Sequence, residues 1–239
     1  MKTWVTSGGC TITRVIFGRS NVFLLSKWTS RLLVDTGWSG DGKQLLKRFG
    51  QTGPPDTVIM THTHFDHAGN AGRLHEQFSP VFIVQESEKE FLESGNSPIP
   101  KGTMGWTRFL YNLGAERVPQ WFHVSGVKAD IVFKERYDLT NFGSNTYVIH
   151  TPGHSKGSSC VVIDNEIALA GDTIGGLPGL VFPPWGDNAD EIILSWQKLL
   201  NTGCHTFHPS HGFPVSRKML ANEYEKKSGD HLTKAAAIQ

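Results

Sequence analysis

The chain reads as an α/β protein, a four-layer αββα sandwich in which strands are buried under helices on both outer faces. Three observations predict it. Apolar strand candidates alternate with helical stretches, and the pattern runs through two halves of similar design. Four of the strand candidates end in a histidine or aspartate, as in enzymes that build their sites at strand ends. The length, 239 residues, suits one α/β unit, so residues 1–239 are expected to form a single domain with a frayed tail at 229–239.

The first half opens with strands expected near 11–17, 21–26 and 31–35, a helix near 40–49 and a strand at 57–60. A further strand at 81–85 precedes a charged helix at 86–94. The second half is expected to start near 130–133 and to run through strands at 146–150, 159–164 and 167–170. Helices near 190–200 and 216–227 close the chain. Two segments interrupt this plan, 95–126 and 174–188, both rich in aromatic residues and proline.

The strand at 57–60 feeds into Thr61-His62-Thr63-His64-Phe65-Asp66-His67. In an extended segment alternate side chains share a face, so His62, His64 and Asp66 are expected to point the same way. His67 joins them only if the chain turns at Asp66, which splits the ligands between two nearby points. Imidazole and carboxylate are the usual nitrogen and oxygen ligands of zinc and similar ions, and a catalytic zinc commonly takes three protein ligands. Four ligands in six residues are too many for one such ion. Two metals roughly 3.5 to 4 Å apart, sharing a hydroxide, would use them. Further ligands come from His154 in a Pro-Gly turn, Asp172 after a Gly at a strand end, and His211 in a loop containing Pro and Gly.

On these residues the chain resembles the metallo-β-lactamase superfamily. The pattern His-x-His-x-Asp-His is intact at His62, His64, Asp66 and His67, followed by Thr-Pro-Gly-His at His154, Gly-Asp at Asp172 and a late histidine at His211. Near the N-terminus, segments 20–25 and 32–37 resemble the opening strands and the Asp-Thr-Gly turn, so nearly the whole chain is covered. The resemblance implies the αββα sandwich of the metallo-β-lactamase type. It implies that His62, His64 and His154 hold one metal, that Asp66, His67 and His211 hold a second, and that Asp172 bridges them.

The same resemblance implies a hydrolase with two divalent ions, zinc before iron or manganese, whose shared hydroxide attacks an ester, thioester or lactone. Asp66 would orient that water and carry its proton. Class B β-lactamases generally lack an aspartate at the bridging position, which Asp172 occupies here. Acyl-homoserine lactonases commonly place a tyrosine three residues after it, where this chain has Gly175. Glyoxalase II enzymes share Gly-Asp-Thr but usually add a C-terminal helical domain that the chain is too short to contain. Persulfide oxygenation at a single iron, phosphodiester cleavage and β-lactam hydrolysis on the same ligands stay open as alternatives. A small-molecule substrate with an apolar portion is expected against Trp106, Phe182 and Trp185 in the two aromatic segments.

A formal charge of +1 with 19% charged residues shows no basic surplus for binding nucleic acid. No stretch is long and apolar enough for a membrane span or a signal peptide, so the chain reads as cytoplasmic. Cys10, Cys160 and Cys204 are an odd, widely spaced set that argues against a disulfide framework, and Cys204 reads as a buried structural thiol. His150 and His208 read as structural or supporting residues, and His75, His123, His205 and His231 show no ligand spacing. Nothing in the sequence indicates an oligomeric state.

Overall fold

A computed structural model describes residues 1–114 and 124–236, with side chains as far as Gly229. The first sheet runs in the order β1 (Lys2–Val5), β2 (Thr11–Ile16), β3 (Val22–Lys27), β4 (Ser30–Val34), β5 (Thr57–Ile59), β6 (Val81–Gln85) and β7 (Ile131–Phe133). Strands β1 to β4 form an antiparallel meander, whereas β4 to β7 pair in parallel. Parallel neighbours need crossovers. These carry α1 (Gly42–Thr52), the one-turn α2 (Phe65–Ala68), α3 (Ala71–Phe78), α4 (Lys89–Ser94) and α5 (Gly105–Asn112).

The second sheet joins β8 (Arg136–Asp138), β9 (Tyr147–His150), β10 (Ser159–Ile163), β11 (Ile167–Gly171), β12 (Thr206–Pro209) and β13 (Val215–Ser216) in sequence order. Helix α6 (Ala189–Asn201) makes the crossover between the parallel strands β11 and β12, and α7 (Arg217–Ala236) follows β13.

Alternation along the strands explains the layers. On β3, Leu24 faces Leu45 and Phe49 of α1 and Leu74 of α3, while Phe23 and Leu25 face the other sheet. Between the sheets, Ile59 and Ile83 meet Val148, Val161, Ile163 and Leu169. On the far side, Val162, Ala168 and Phe207 pack under Trp196 and Leu199 of α6 and Leu220 of α7. Both faces of the central strands are therefore buried, which is why they read as continuous apolar runs. Each fully buried Leu or Ile contributes about 1.5–3 kcal/mol. The expected αββα architecture is what forms.

Some boundaries differ from expectation. Strand β7 pairs with β6 through Ile83 and Ile131, so residues 130–133 close the first sheet and the second sheet begins at β8. Strands β1 and β8 carried no apolar run because they lie at sheet edges and expose most of their residues, and β13 is only two residues long. The interruption at 95–126 contains α5, a helix whose Trp106, Phe109 and Leu110 are exposed. Helix α7 continues to Ala236, and the side chains of the tail expected to fray lie mostly outside the described residues. Among the described residues no helix is long and apolar enough to cross a membrane.

Candidate metal centre

Seven side chains from four segments converge beyond the ends of β5, β9, β11 and β12. Strand β5 stops at Ile59, and residues 60–64 run on without regular structure until Phe65 starts the turn of α2. The expectation that His62, His64 and Asp66 share one face fails here. The helical turn begins before Asp66 and swings that carboxylate away from His62 and His64, toward His67 and His211. The expected split of the ligands stands, one residue earlier in the chain.

The donor atoms fall into three groups, each with its atoms within 4.8 Å of one another and able to hold a metal ion. One comprises His62, His64 and His154, another Asp66, His67 and His211, and the third His62, His67 and Asp172. Asp172 thus stands between the other two. Its Oδ2 lies 3.5 Å from His154 Nε2 and 3.3 Å from His211 Nε2, and its Oδ1 lies 3.6 Å from His67 Nε2. His154 Nε2 and His64 Nδ1 are 3.1 Å apart, and Asp66 Oδ2 is 3.3 Å from His211 Nε2.

Neighbouring groups orient these rings. The Trp185 carbonyl lies 2.9 Å from His154 Nδ1, which turns Nε2 inward. Asp35, in the left-handed conformation at φ 62° just after β4, takes Thr61 N–H at 2.7 Å and the Thr61 hydroxyl at 2.8 Å and lies 2.9 Å from His67 Nδ1. Ser20 donates to the Asp66 carbonyl at 2.6 Å. Gly171, with φ 53°, presents Asp172, and a Cβ there would come within 2.9 Å of the Thr61 side chain. Asp35 and Ser20 were missing from the expected site. The Asp-Thr-Gly turn after a buried strand was the signal for Asp35, whereas nothing local marks Ser20.

The donor set fits divalent cations. His62 Nε2, His67 Nε2 and Asp172 Oδ1 are buried without a hydrogen-bond partner among the described residues, a state that costs about 1–3 kcal/mol per group unless something satisfies it. In the metal-free chain, protons answer the same demand. Burial lowers the pKa of His67, but the charges of Asp172, Asp66 and Asp35 outweigh it and raise the group well above its usual value. His211 behaves alike: burial lowers it, Asp172 and Asp66 raise it, and it stands at about 10. Burial and the neighbouring imidazoles, chiefly His154, hold His64 at about 3. Burial raises Asp66, yet His67 and His211 bring it to about 2. Asp172 is held well below its usual value, because His211, His67 and His154 overcome its burial.

Above the cluster opens a cavity of about 710 Å³. His64, Asp66, His154, Asp172 and His211 form its floor. Apolar walls come from Phe17, Phe65, Ile174, Leu180, Trp106 and Trp185, with Arg19 as a cationic member. Trp106 and Trp185 meet edge to face at 6.4 Å. Their two loops are laced together: Thr103 N–H donates to the Pro184 carbonyl at 3.0 Å, the Thr107 hydroxyl to the same carbonyl at 2.8 Å, and Gly186 N–H to Lys101 at 2.7 Å. The expectation for Phe182 is corrected. Its ring is 7% exposed and packs 5.4 Å from Trp196, because the loop turns that side chain into the α6 core rather than the cavity. Trp121 and Phe122 lie outside the described residues.

Among the described residues, the remaining histidines stay apart from the cluster. His208 is buried with its ring edge-on to Trp4 and Phe23. His150 Nε2 lies 2.8 Å from the Lys156 carbonyl. His123 and the side chain of His231 are outside the described residues. All three cysteines are free and buried.

Comparison with known proteins fits this architecture. The chain is 23% identical over 224 residues to the beta-lactamase-like protein 2 homolog of Drosophila melanogaster, covering 90% of this chain and 66% of that one. It is 29% identical over 175 residues to the acyl-coenzyme A thioesterase MBLAC2 of Bos taurus, covering 65% of this chain and 58% of that one. The chain therefore spans about two thirds or less of these relatives. Among solved structures, TTHA1623 in a di-iron-bound form superposes with a TM-score of 0.64 at 22% identity, covering 87% of this chain and 96% of that one. The family model described as "Metallo-beta-lactamase superfamily" matches residues 15–211, a span that takes in every candidate ligand from His62 to His211, and the chain belongs to that superfamily.

Proposed function

We propose that the chain is a binuclear metal-dependent hydrolase that cleaves an ester, thioester or lactone bond in a substrate with an apolar acyl portion. The observation that carries this reading is the position of Asp172, between two histidine-containing donor groups on the floor of an apolar cavity. His62, His64 and His154 would hold one cation, Asp66, His67 and His211 the other, with Asp172 shared. Five imidazoles and two carboxylates without a thiolate suit zinc, and iron or manganese also accept such donors. When bound, a pair of divalent cations supplies a Lewis acid for the scissile carbonyl and lowers the pKa of water to about 7.

The chain's own residues do the rest. Asp66 faces the cavity and stands 3.3 Å from His211, a position from which its carboxylate takes the proton of the attacking water and returns it to the leaving group. Trp106, Trp185 and Leu180 exclude water from the acyl portion, and the lacing of their loops keeps that wall in place. The thioester among the three bonds is favoured by the likeness to the bovine protein named an acyl-coenzyme A thioesterase.

Elemental analysis of protein purified without added metal, run beside a panel of esters, thioesters, lactones, phosphodiesters and glutathione persulfide, tests this. Two metals per chain and turnover of acyl esters or thioesters are expected. A single iron with oxygen uptake on the persulfide would replace hydrolysis with oxygenation.

A further inference from the structure

We propose that Glu88 is the positioning residue of the three-histidine group, a carboxylate that sets how tightly this group holds its cation without touching it. This rests on the binuclear reading above. Glu88 stands at the start of α4, the helix that follows β6, and only 1% of it is exposed. Burying a carboxylate costs several kcal/mol unless it is hydrogen-bonded, so its partners explain its place.

Among the described residues Glu88 accepts four hydrogen bonds, two on each oxygen. Oε2 accepts from the Thr63 N–H at 3.0 Å and from the Thr63 hydroxyl at 2.5 Å. Oε1 accepts from the Ser155 hydroxyl at 2.6 Å and from the Gly157 N–H at 3.2 Å. Thr63 lies between His62 and His64, and Ser155 directly follows His154. One carboxylate therefore ties the segment that carries two of the three histidines to the loop that carries the third. These segments follow strands of different sheets, β5 and β9, and a backbone bond from Ser159 N–H to the Thr61 carbonyl at 2.9 Å runs beside the bridge that Glu88 makes. The approach is close enough that a Cβ at residue 157 would lie 2.4 Å from Glu88 Cγ, which only glycine avoids.

None of the four bonds reaches Asp66, His67, Asp172 or His211. The ring of His67 is oriented by Asp35 instead. Asp35 also holds the Thr61 hydroxyl, which lies 3.1 Å from His62 Nδ1, and so serves both groups. The bonds of Glu88 touch only segments of the first group, and loss of Glu88 should be felt by that group alone. The choice of glutamate follows from acceptor count. A carboxylate offers about four lone-pair sites, whereas glutamine exchanges one oxygen for a donor. Glu88→Gln must leave the N–H of either Thr63 or Gly157 facing an NH₂, and a backbone N–H cannot rotate away as the two hydroxyls can.

The test compares zinc affinity by chelator competition in two backgrounds. His211→Ala disables the second donor group and His154→Ala the first. E88Q should weaken zinc binding by about 10–100-fold in the H211A background, the usual effect of removing a group that supports metal ligands. In the H154A background the change should stay within about twofold, as for independent sites. Equal losses in both backgrounds would overturn the proposal, since they would mean a general role in folding, and so would no loss in the H211A background. Ser155→Ala removes one of the four bonds and should give the same selectivity at smaller size, with thermal unfolding recorded for every variant. It carries the test if E88Q does not fold. Wild-type protein that saturates at one metal would instead defeat the binuclear reading, while the H211A comparison would still measure Glu88.

Discussion

Asp35 Oδ2 lies 2.9 Å from Nδ1 of His67, and this contact points Nε2 of the ring at Asp66 and Asp172. A carboxylate only accepts, so Nδ1 carries the proton and Nε2 is left as the donor atom for a cation. Asp35→Asn should lower metal affinity by about 10–100-fold while the chain stays folded, as carboxylates that support metal-binding histidines commonly do. Competition with a chromophoric chelator measures it, and unchanged affinity would contradict the role of Asp35.

Metal uptake should release protons near neutral pH. In the metal-free chain His67 is raised well above its usual pKa and His211 to about 10, so both carry protons at pH 7 that a cation must displace. Apparent affinity should rise with pH toward 10. The sign for stability is the opposite: a folded-state pKa above the unfolded value near 6.5 stabilises the metal-free chain fully below pH 6.5, and that contribution fades as pH climbs through 10. Calorimetry of zinc binding in buffers of different ionisation enthalpy checks the proton count, with zero release as the contradicting result.

Removing the cavity wall should change substrate preference rather than chemistry. Trp106→Ala and Trp185→Ala each take apolar surface from the cavity but leave the Trp185 backbone carbonyl on His154 Nδ1. The Michaelis constant for long-chain acyl esters should rise by about 10-fold, from roughly 50 Å² of lost contact at 25 cal/mol per Å², with that for acetyl esters unchanged. Equal effects on both substrates would remove these side chains from the acyl pocket.

Phe182, in the same loop, should behave in the opposite way. Buried against Trp196 in the α6 core, it should cost about 3–5 kcal/mol of stability on replacement by Ala, and the variant that remains folded should keep its Michaelis constant. Urea titration beside steady-state kinetics separates the two. A large kinetic change with normal stability would return Phe182 to the cavity wall.

The thiols should be inert in the native chain. Burial, the largest cause in each case, pushes Cys10 and Cys160 up to about 12 and Cys204 up to about 11, so little thiolate exists at pH 8. Ellman's reagent should label none of the three without denaturant and all of them with it. Cys204→Ser should keep both metal content and turnover. Rapid native labelling of Cys204 would contradict its structural role.

Local order was legible wherever one residue's neighbours decide its state. The apolar runs at 57–60 and 81–85 announced strands buried on both faces, and His62, His64, Asp66 and His67 announced ligands, because metal chemistry narrows the residue types so strongly. The ligand segments at His154, Asp172 and His211 could be read for the same reason: each sits in a turn that follows a strand. Edge strands such as β1 and β8 were not legible, since a strand exposed on most of its residues carries no apolar period.

What only the tertiary structure decided are contacts made across long stretches of chain. Side-chain alternation placed Asp66 with His62 and His64, whereas the family resemblance placed it with His67 and His211. The start of α2 at Phe65, a choice of backbone rotation to which alternation is blind, puts it in the second group. Phe182 and Trp185 belong to one loop of similar composition, and only packing against α6 sends the first into the core and leaves the second at the cavity. Glu88 reads as one more charge on a charged helix until the segment after β5 and the β9–β10 loop are brought to its two oxygens. Sequence specifies the chemistry each side chain can perform. Which partners it meets is set by the burial of two sheets against each other, a cooperative outcome of many apolar contacts that no local stretch contains.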